Sequence, residues 1–169
     1  YTTNNQNGTV ALIDNKFIKI PKLKSLVRIK LHRQPKGMIK SATISRHSSG
    51  NSYISLLCKE EIIELPKTNA AVGIDLGITD FAILSDGRKI DNNKFTSKME
   101  KKRKREQRKL SRRALLAKKN GVNLFEAKNY QKQKRKVARL YEKIMNQRTD
   151  FLNKLSTDII KNHDTICIE

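Results

Sequence analysis

Two carboxylates in this sequence each stand at the end of an apolar run. Asp75 lies near the end of residues 70–76, in which all the remaining residues are apolar or glycine. Glu169 directly follows the apolar residues 166–168. Acids on separate strands that meet at one edge of a sheet can hold two Mg²⁺ ions about 3.5–4 Å apart, which activate water and stabilise the leaving oxygen in phosphodiester hydrolysis. The pattern therefore predicts catalytic and metal-binding roles for Asp75 and Glu169 in chemistry on a nucleic-acid phosphate.

Structural explanations compete with this prediction. Asp75 lies in a Gly-x-Asp-x-Gly run, where an acid can also serve only to accept a hydrogen bond from a turn amide. Asp80 and Asp86 are predicted to be strand-edge or turn acids. The three histidines share no metal-ligand spacing and are predicted to lie on the surface: His32, His47 and His163. A purely structural role for Asp75 stays open at this point.

The chain is strongly basic, with a formal net charge of +21 and a pI near 10.2. Between Lys98 and Arg148, 20 Lys and Arg residues stand against four Glu. Such an excess indicates a polyanionic partner, most often nucleic acid, although it does not identify an activity. The predicted nucleic-acid-binding residues in this segment are Lys101, Lys102, Arg103, Lys104, Arg105, Arg108, Lys109, Arg112, Arg113, Lys132, Lys134, Arg135, Lys136, Arg139 and Arg148.

Other classes of protein are disfavoured by the composition. No apolar run approaches the roughly 20 residues that a membrane span needs, and the amino end lacks a signal-peptide pattern. Cys58 and Cys167 lie in apolar runs without a C-x-x-C spacing, so they predict neither a disulfide framework nor a zinc site. We expect reduced core thiols in a cytoplasmic, nucleoid-associated bacterial or archaeal protein.

The first part of the chain has the alternation of short β-strands. A β-barrel-like module, either a small antiparallel sheet or a partial barrel, is predicted for residues 1–66. The predicted strands are residues 8–13, 17–20, 27–31, 38–46 and 53–58, with turns at 14–15 and 48–51. Residues 60–69 contain Pro66 and are predicted to form a linker.

The second part, residues 67–169, has a mixed α/β pattern. Residues 70–76 predict a strand covered on both faces. Residues 81–84 and 89–90 predict two further strands around a hairpin turn at residues 85–88. The chain ends in a fourth apolar run, which starts near residue 164.

A basic helical hairpin, residues 97–162, is predicted between these strands. Its first helix is expected to start with a capping box of Ser97 and Glu100 and to end at Asn120-Gly121. The second is expected to start at Asn123 and to carry an apolar stripe of Val137, Leu140, Ile144, Phe151, Leu155 and Ile159. A helical crossover returns the next strand parallel to the first, which would bring Asp75 and Glu169 to the same sheet edge.

At this point the motifs resemble a known family. Residues 73–77 (Gly-Ile-Asp-Leu-Gly), 80–82, 85–87 and 93–95 resemble the first RuvC segment of the TnpB (OrfB) insertion-sequence proteins. Residues 108–112 and 146–156 resemble that family's helical insert, and residues 166–169 resemble the start of its second RuvC motif. Residues 1–59 resemble its oligonucleotide-binding wedge barrel only in position and β character.

The resemblance implies a transposon-encoded, Mg²⁺-dependent RNA-guided DNA endonuclease related to type V CRISPR effectors, with a ribonuclease-H-like (RuvC) core. It implies guide RNA and target DNA as partners, with Asp75 and Glu169 as the first and second catalytic acids. The family's third acid and its zinc ribbon lie beyond Glu169, so zinc is expected only outside this chain. We therefore expect a fragment that does not cleave DNA alone.

Two alternatives remain. The chain could be a nucleic-acid-binding remnant without catalysis. Residues 73–77 also resemble the first phosphate loop of the actin, sugar-kinase and Hsp70-type ATPases. Those proteins lack a strongly basic helical hairpin between that loop and the next strand of the sheet, so we rank the ATPase below the nuclease.

Overall fold

The computed structural model describes all residues from Tyr1 to Glu169, and the chain forms two compact units, Tyr1–Glu64 and Leu65–Glu169. The fold is mixed α+β, as predicted, with ten strands in three sheets and two helices. Neither helix carries an apolar stretch long enough to cross a bilayer.

The first unit contains two three-stranded sheets. Its strands are β1 (Thr2–Asn4), β2 (Ala11–Ile13), β3 (Phe17–Lys19), β4 (Val27–Arg28), β5 (Met38–Arg46) and β6 (Ser52–Lys59). The sheet orders are β1-β5-β6 and β2-β3-β4, and no barrel closes. A common core of Val10, Ile18, Ile20 and Ala42 holds side chains from both sheets.

The hairpin predictions for this unit are confirmed, with three corrections. The strand predicted at residues 8–13 is too long, because only Ala11–Ile13 pair with β3. Asp14 and Asn15 both have positive φ, as a tight β-hairpin turn requires. The predicted strand at residues 27–31 is wrong in length, because only Val27 and Arg28 pair with β3. β1 was not predicted, since Thr2–Asn4 carries no apolar alternation and becomes a strand only by pairing with β5.

The second unit contains a four-stranded sheet and both helices. Its elements are β7 (Ala71–Leu76), β8 (Asp80–Leu84), β9 (Lys89–Asp91), α1 (Phe95–Lys119), α2 (Lys128–Asn162) and β10 (Thr165–Ile168). The sheet order is β10-β7-β8-β9, in which β10 is parallel to β7 and the other neighbours are antiparallel. The predicted parallel return of the last strand is therefore confirmed.

α2 has two packing partners along its length. Val137, Leu140 and Ile144 are buried in the part of α2 that packs against α1. Further along, Leu155 and Ile159 join the core of the sheet with Val72, Ile74, Ala82 and Leu84. The predicted apolar stripe is confirmed, and it ties the basic hairpin to the sheet.

Four local predictions for this unit are wrong. Cys167 is exposed, although its apolar run predicted a thiol in the core. β7 is covered on one face only, because Val72 and Ile74 are buried whereas Asp75 on the opposite face is exposed. α1 begins at Phe95, after Lys94 in the left-handed conformation, so Ser97 lies inside the helix and makes no cap. The Glu100 carboxylate pairs with Arg103.

α2 begins at Lys128 and not at Asn123. Asn123 Oδ1 accepts the Phe125 N–H, and the Asn123 carbonyl accepts the N–H groups of Glu126 and Ala127, which closes a separate turn. The predicted stop of α1 is confirmed: Gly121, at φ +64°, donates to Lys118 O and the next residue, Val122, donates to Ala117 O.

Candidate functional site

The candidate site lies where β7 and β10 end side by side. Their parallel register pairs Thr165 with Ala71 and ends with Ile168 opposite Ile74. The Glu169 N–H continues the ladder by donating to the Ile74 carbonyl over 3.0 Å. The next position in this register therefore sets Glu169 beside Asp75, on strands about 4.8 Å apart.

Both acids belong to the solvent-facing side of the sheet. Side chains alternate along a strand, so Val72 and Ile74 face α2 and the core while Gly73 and Asp75 face away. The partner of Asp75 on β8 is Ile83, which is also exposed. The structure therefore brings the two predicted acids together at one open sheet edge, as residues of neighbouring parallel strands.

The turn after β7 favours glycine. A Cβ on Gly77 would lie 3.0 Å from the Asp80 carbonyl oxygen, which is tighter than ordinary packing allows. Gly77 N–H also donates to Phe81 O, which closes the turn into β8. The second glycine of the Gly-x-Asp-x-Gly run thus lets the chain reverse directly after Asp75.

Asp164 fixes the relation between β7 and β10 at their other end. Its carboxylate accepts the backbone N–H of Thr68 (3.0 and 3.1 Å), the hydroxyl of Thr68 (3.1 Å) and the backbone N–H of Asn69 (2.7 Å). These amides hold the pKa of Asp164 below its usual range. The Asp164 N–H in turn donates to Ala70 O, so the starts of both strands are tied together.

The hairpin turn between β8 and β9 confirms the structural role predicted for Asp86. Its carboxylate accepts the Arg88 N–H at 2.9 Å and the Arg88 Nε–H at 2.6 Å, which lowers the pKa of Asp86. Arg88 also reaches Asp158 of α2 at 3.3 Å. Both Asp86 carboxylate oxygens therefore accept hydrogen bonds within the turn. Asp80 lies at the start of β8, opposite Asp91 of β9.

The donor set at the sheet edge fits a hard divalent cation only in part. Mg²⁺ takes oxygen ligands, keeps several waters and is commonly held by one or two carboxylates. Asp75 and Glu169 supply two such groups with open access to solvent. The structure contains no group of three or more His, Cys, Asp or Glu side chains placed close enough together to hold a metal ion.

The predicted nucleic-acid-binding residues divide into two groups in the structure. Arg103 and Arg113 are partly buried; Arg103 pairs with Glu100 and the Tyr141 hydroxyl, and Arg113 donates to Asn129 O. All the others have exposed side chains. Eight of these exposed side chains form no ion pair within the chain: Lys101, Lys102, Arg108, Arg112, Lys132, Lys134, Arg135 and Arg148.

A buried polar cluster joins the two helices. Glu106 of α1 is 1% exposed and accepts the Gln133 amide of α2 at 2.8 Å. Hydrogen bonding from Gln133, with Lys109 and Lys136 nearby, lowers the pKa of Glu106 to about 2. The buried Glu106 carboxylate therefore stays ionised, with the ammonium groups of Lys109 and Lys136 close to it.

Sequence reasoning missed Asp164, Glu106 and Phe125. Asp164 directly precedes an apolar strand, a position from which an acid can bond the neighbouring strand's amides, so its place was a usable signal. Glu106 looks like any acid on a basic helix, and only the packing of α1 on α2 distinguishes it. Phe125 lies in the turn before α2 and is 85% exposed, and nothing in the sequence around it predicts that exposure.

Comparison with known proteins identifies the family. The OrfB_IS605 family model, described as "Probable transposase", matches residues 55–169. A Streptomyces pristinaespiralis protein named "Putative RNA-guided DNA endonuclease" is 40% identical over 129 residues, covering 76% of this chain and 30% of the relative.

An Escherichia coli K12 protein named "Putative RNA-guided DNA endonuclease InsQ" is 38% identical over 157 residues, covering 92% of this chain and 36% of the relative. The chain thus spans about a third of the length of these curated relatives. Nothing in these matches supports the ATPase alternative. Because the family model covers more than half of the chain and agrees with the resemblance seen in its motifs, the chain belongs to the OrfB_IS605 family.

Proposed function

We propose that this chain supplies two acids and a nucleic-acid grip to an RNA-guided DNA endonuclease that hydrolyses phosphodiesters with Mg²⁺. The observation that carries the proposal is the parallel pairing of β10 with β7, which sets Glu169 beside Asp75 on the open face. The names of the two relatives support the same activity.

The residues at the sheet edge have separate tasks in this proposal. Asp75 and Glu169 hold the cation, Gly77 turns the chain away so that the substrate phosphate can approach, and Asp164 keeps the two strands in register. A bound Mg²⁺ would supply activation of water and stabilisation of charge on the phosphate. A two-metal site needs at least one more ligand, which we place outside this chain.

The basic hairpin provides the grip on nucleic acid. RNA-guided nucleases leave sequence reading to base pairing and hold the duplex through its backbone and shape. Exposed cations such as Arg108, Arg112 and Lys132 suit that task because they contact phosphates without reading bases. Guide RNA and target DNA are the partners that this role requires.

The isolated chain is better described by the second candidate, binding without cleavage. It has two neighbouring acids, Asp75 and Glu169, and no third metal-binding side chain close to them. Purified chain should therefore bind nucleic acid and leave a supercoiled plasmid intact in Mg²⁺ or Mn²⁺. Nicking that disappears in Asp75→Ala would overturn this part of the proposal.

The decisive test uses the complete protein that contains this sequence. Asp75→Ala should reduce guided DNA cleavage by at least about a hundredfold, as expected when one group of a charge-stabilising site is removed. Guide RNA binding should be unchanged, since Asp75 lies outside the basic hairpin. Asp91→Ala, which removes an exposed strand acid of the same sheet, is the matched control and should cleave normally. Undiminished cleavage by Asp75→Ala would show that the site is assigned wrongly.

A further inference from the structure

A groove at the connected end of the hairpin combines an aromatic ring with a row of cations. We call it the hairpin-end groove; its lining includes Phe125, Lys128, Lys132, Arg135, Lys136 and Arg139. Residues 128, 132, 135 and 139 follow one another at three- or four-residue intervals, so they share one face of α2. The row extends about 16 Å along the helix axis.

Phe125 is presented to solvent on a well-bonded turn. Its ring is 85% exposed. Asn123 accepts the N–H groups of three following residues, and the Gln131 side chain donates to the Leu124 carbonyl at 2.7 Å. Leaving an aromatic side chain in water is unfavourable, and here the ring stands on a hydrogen-bonded turn without packing against either helix. The geometry is that of a ring placed for contact with a partner.

The charges around the ring select the class of partner. The groove contains five cations and one acid, Glu126. Among the cations, Lys128, Lys132 and Arg135 form no ion pair within the chain, whereas Lys136 reaches Glu106 at 3.4 Å. A partner for this groove must therefore be an anion that also offers a flat apolar face. Single-stranded nucleic acid has both, as phosphates along its backbone and exposed bases.

We propose that the hairpin-end groove binds an unpaired stretch of nucleic acid, with one base stacked on Phe125 and the adjacent phosphates on Lys128, Lys132 and Arg135. In a duplex the base faces are already stacked on each other, so Phe125 can reach only an unpaired or terminal base. This inference deepens the proposed nucleic-acid grip, and rests on it, by assigning one end of the hairpin to single strands.

The test uses the 169-residue chain and short single-stranded oligonucleotides, in RNA and DNA forms, that carry 2-aminopurine. Stacking on Phe125 should quench the fluorescence of 2-aminopurine. Phe125→Ala should remove the quenching and weaken single-strand binding about tenfold, the usual effect of losing one aromatic stack. Phe125→Tyr should retain both properties. Leu115→Ala, which removes another exposed apolar side chain of the hairpin, should change neither.

Competitors separate the possible outcomes. Binding of a closed circular duplex, which has neither unpaired nor terminal bases, should be the same for Phe125→Ala and the wild type, and polyglutamate should not displace the oligonucleotide. Strong binding that does not depend on Phe125 would overturn the stacking inference while leaving the proposed grip in place. If the wild-type chain binds no oligonucleotide even at low salt, the proposed nucleic-acid grip of the hairpin is itself overturned. Displacement by polyglutamate would assign the groove to an acidic protein segment, against the proposal.

Discussion

At the scale of single residues, Asp164 explains why two acids from distant parts of the chain end at the same place. Its carboxylate accepts hydrogen bonds from amides that lie 95 and 96 positions earlier in the sequence, just before β7. A parallel pair that is fixed at its start is also fixed at its end, because register allows no one-residue slip without turning every side chain to the other face. Asp164 therefore positions Asp75 and Glu169 without touching either.

The stabilisation from Asp164 should depend on pH with a known sign. The pKa of Asp164 is lowered in the folded chain, so its contribution is complete above the unfolded value near 3.9 and is lost as the pH falls toward the folded value. Asp164→Asn should lower the Tm at pH 7, and the difference from the wild type should shrink below about pH 4. Thermal unfolding followed by circular dichroism across this range measures it.

A matched acid controls for charge in this experiment. Asp150→Asn removes a carboxylate whose only partner is exposed Lys154, four positions later on α2. An exposed pair of this kind contributes little to stability, so its Tm should stay near that of the wild type. A pH-independent deficit in Asp164→Asn would mean that the carboxylate charge is not what holds the strands.

At the scale of elements, α1 remains helical and packed although it is almost entirely polar. Its buried side chains are Glu106 and Ala117, so its attachment to α2 depends on a polar contact with Gln133 as well as on the apolar side of α2. A buried acid with one missing partner is costly, whereas an apolar pair of similar size can replace a buried polar pair at little cost. The Glu106–Gln133 contact thereby favours one alignment of the two helices.

A double-mutant cycle tests this alignment role. Gln133→Leu should lower the midpoint of urea unfolding most, because it leaves the Glu106 carboxylate buried without its amide donor. Glu106→Leu combined with Gln133→Leu should recover a large part of that loss. If the double variant is as unstable as the sum of the two single variants, the contact contributes no specific coupling.

The sequence-based predictions succeeded for elements whose pattern matched their surroundings. β7 and β10 are apolar runs next to a helical crossover, and the handedness and direction of such crossovers are strongly constrained, so their parallel pairing was predictable. The starts of the helices were not. Ser97 and Glu100 have the spacing of a capping box, but Glu100 has Arg103 and Lys104 within reach on its own helix, which lower its pKa to about 2.

At the scale of the whole molecule, the basic charge is concentrated where the two helices run together. Much of it is exposed and without an ion pair, so it is available to a polyanion, while the sheet edge that carries Asp75 lies on another part of the same unit. The proposed nucleic-acid binding and the proposed catalysis are thus assigned to different surfaces. They should respond to salt differently, because neutralising phosphates releases counterions whereas a carboxylate-bound cation does not depend on that release.

The salt dependence of nucleic-acid binding gives the last prediction. For duplex DNA, the slope of log K against log salt concentration is about −0.9 per neutralised phosphate. Removing two exposed hairpin cations with Arg108→Gln and Arg112→Gln should make the slope shallower by about 2, or about 1 for each phosphate contact. Fluorescence anisotropy with a labelled duplex between low and moderate salt measures the slope.

Lys154→Gln with Lys161→Gln changes the net charge equally, but these residues lie toward the carboxyl end of α2, away from the hairpin's basic segment. That control should keep the wild-type slope. Equal slopes for both double variants would show that the chain responds to its net charge, and that the basic segment between Lys98 and Arg148 is not the specific surface that contacts the phosphates.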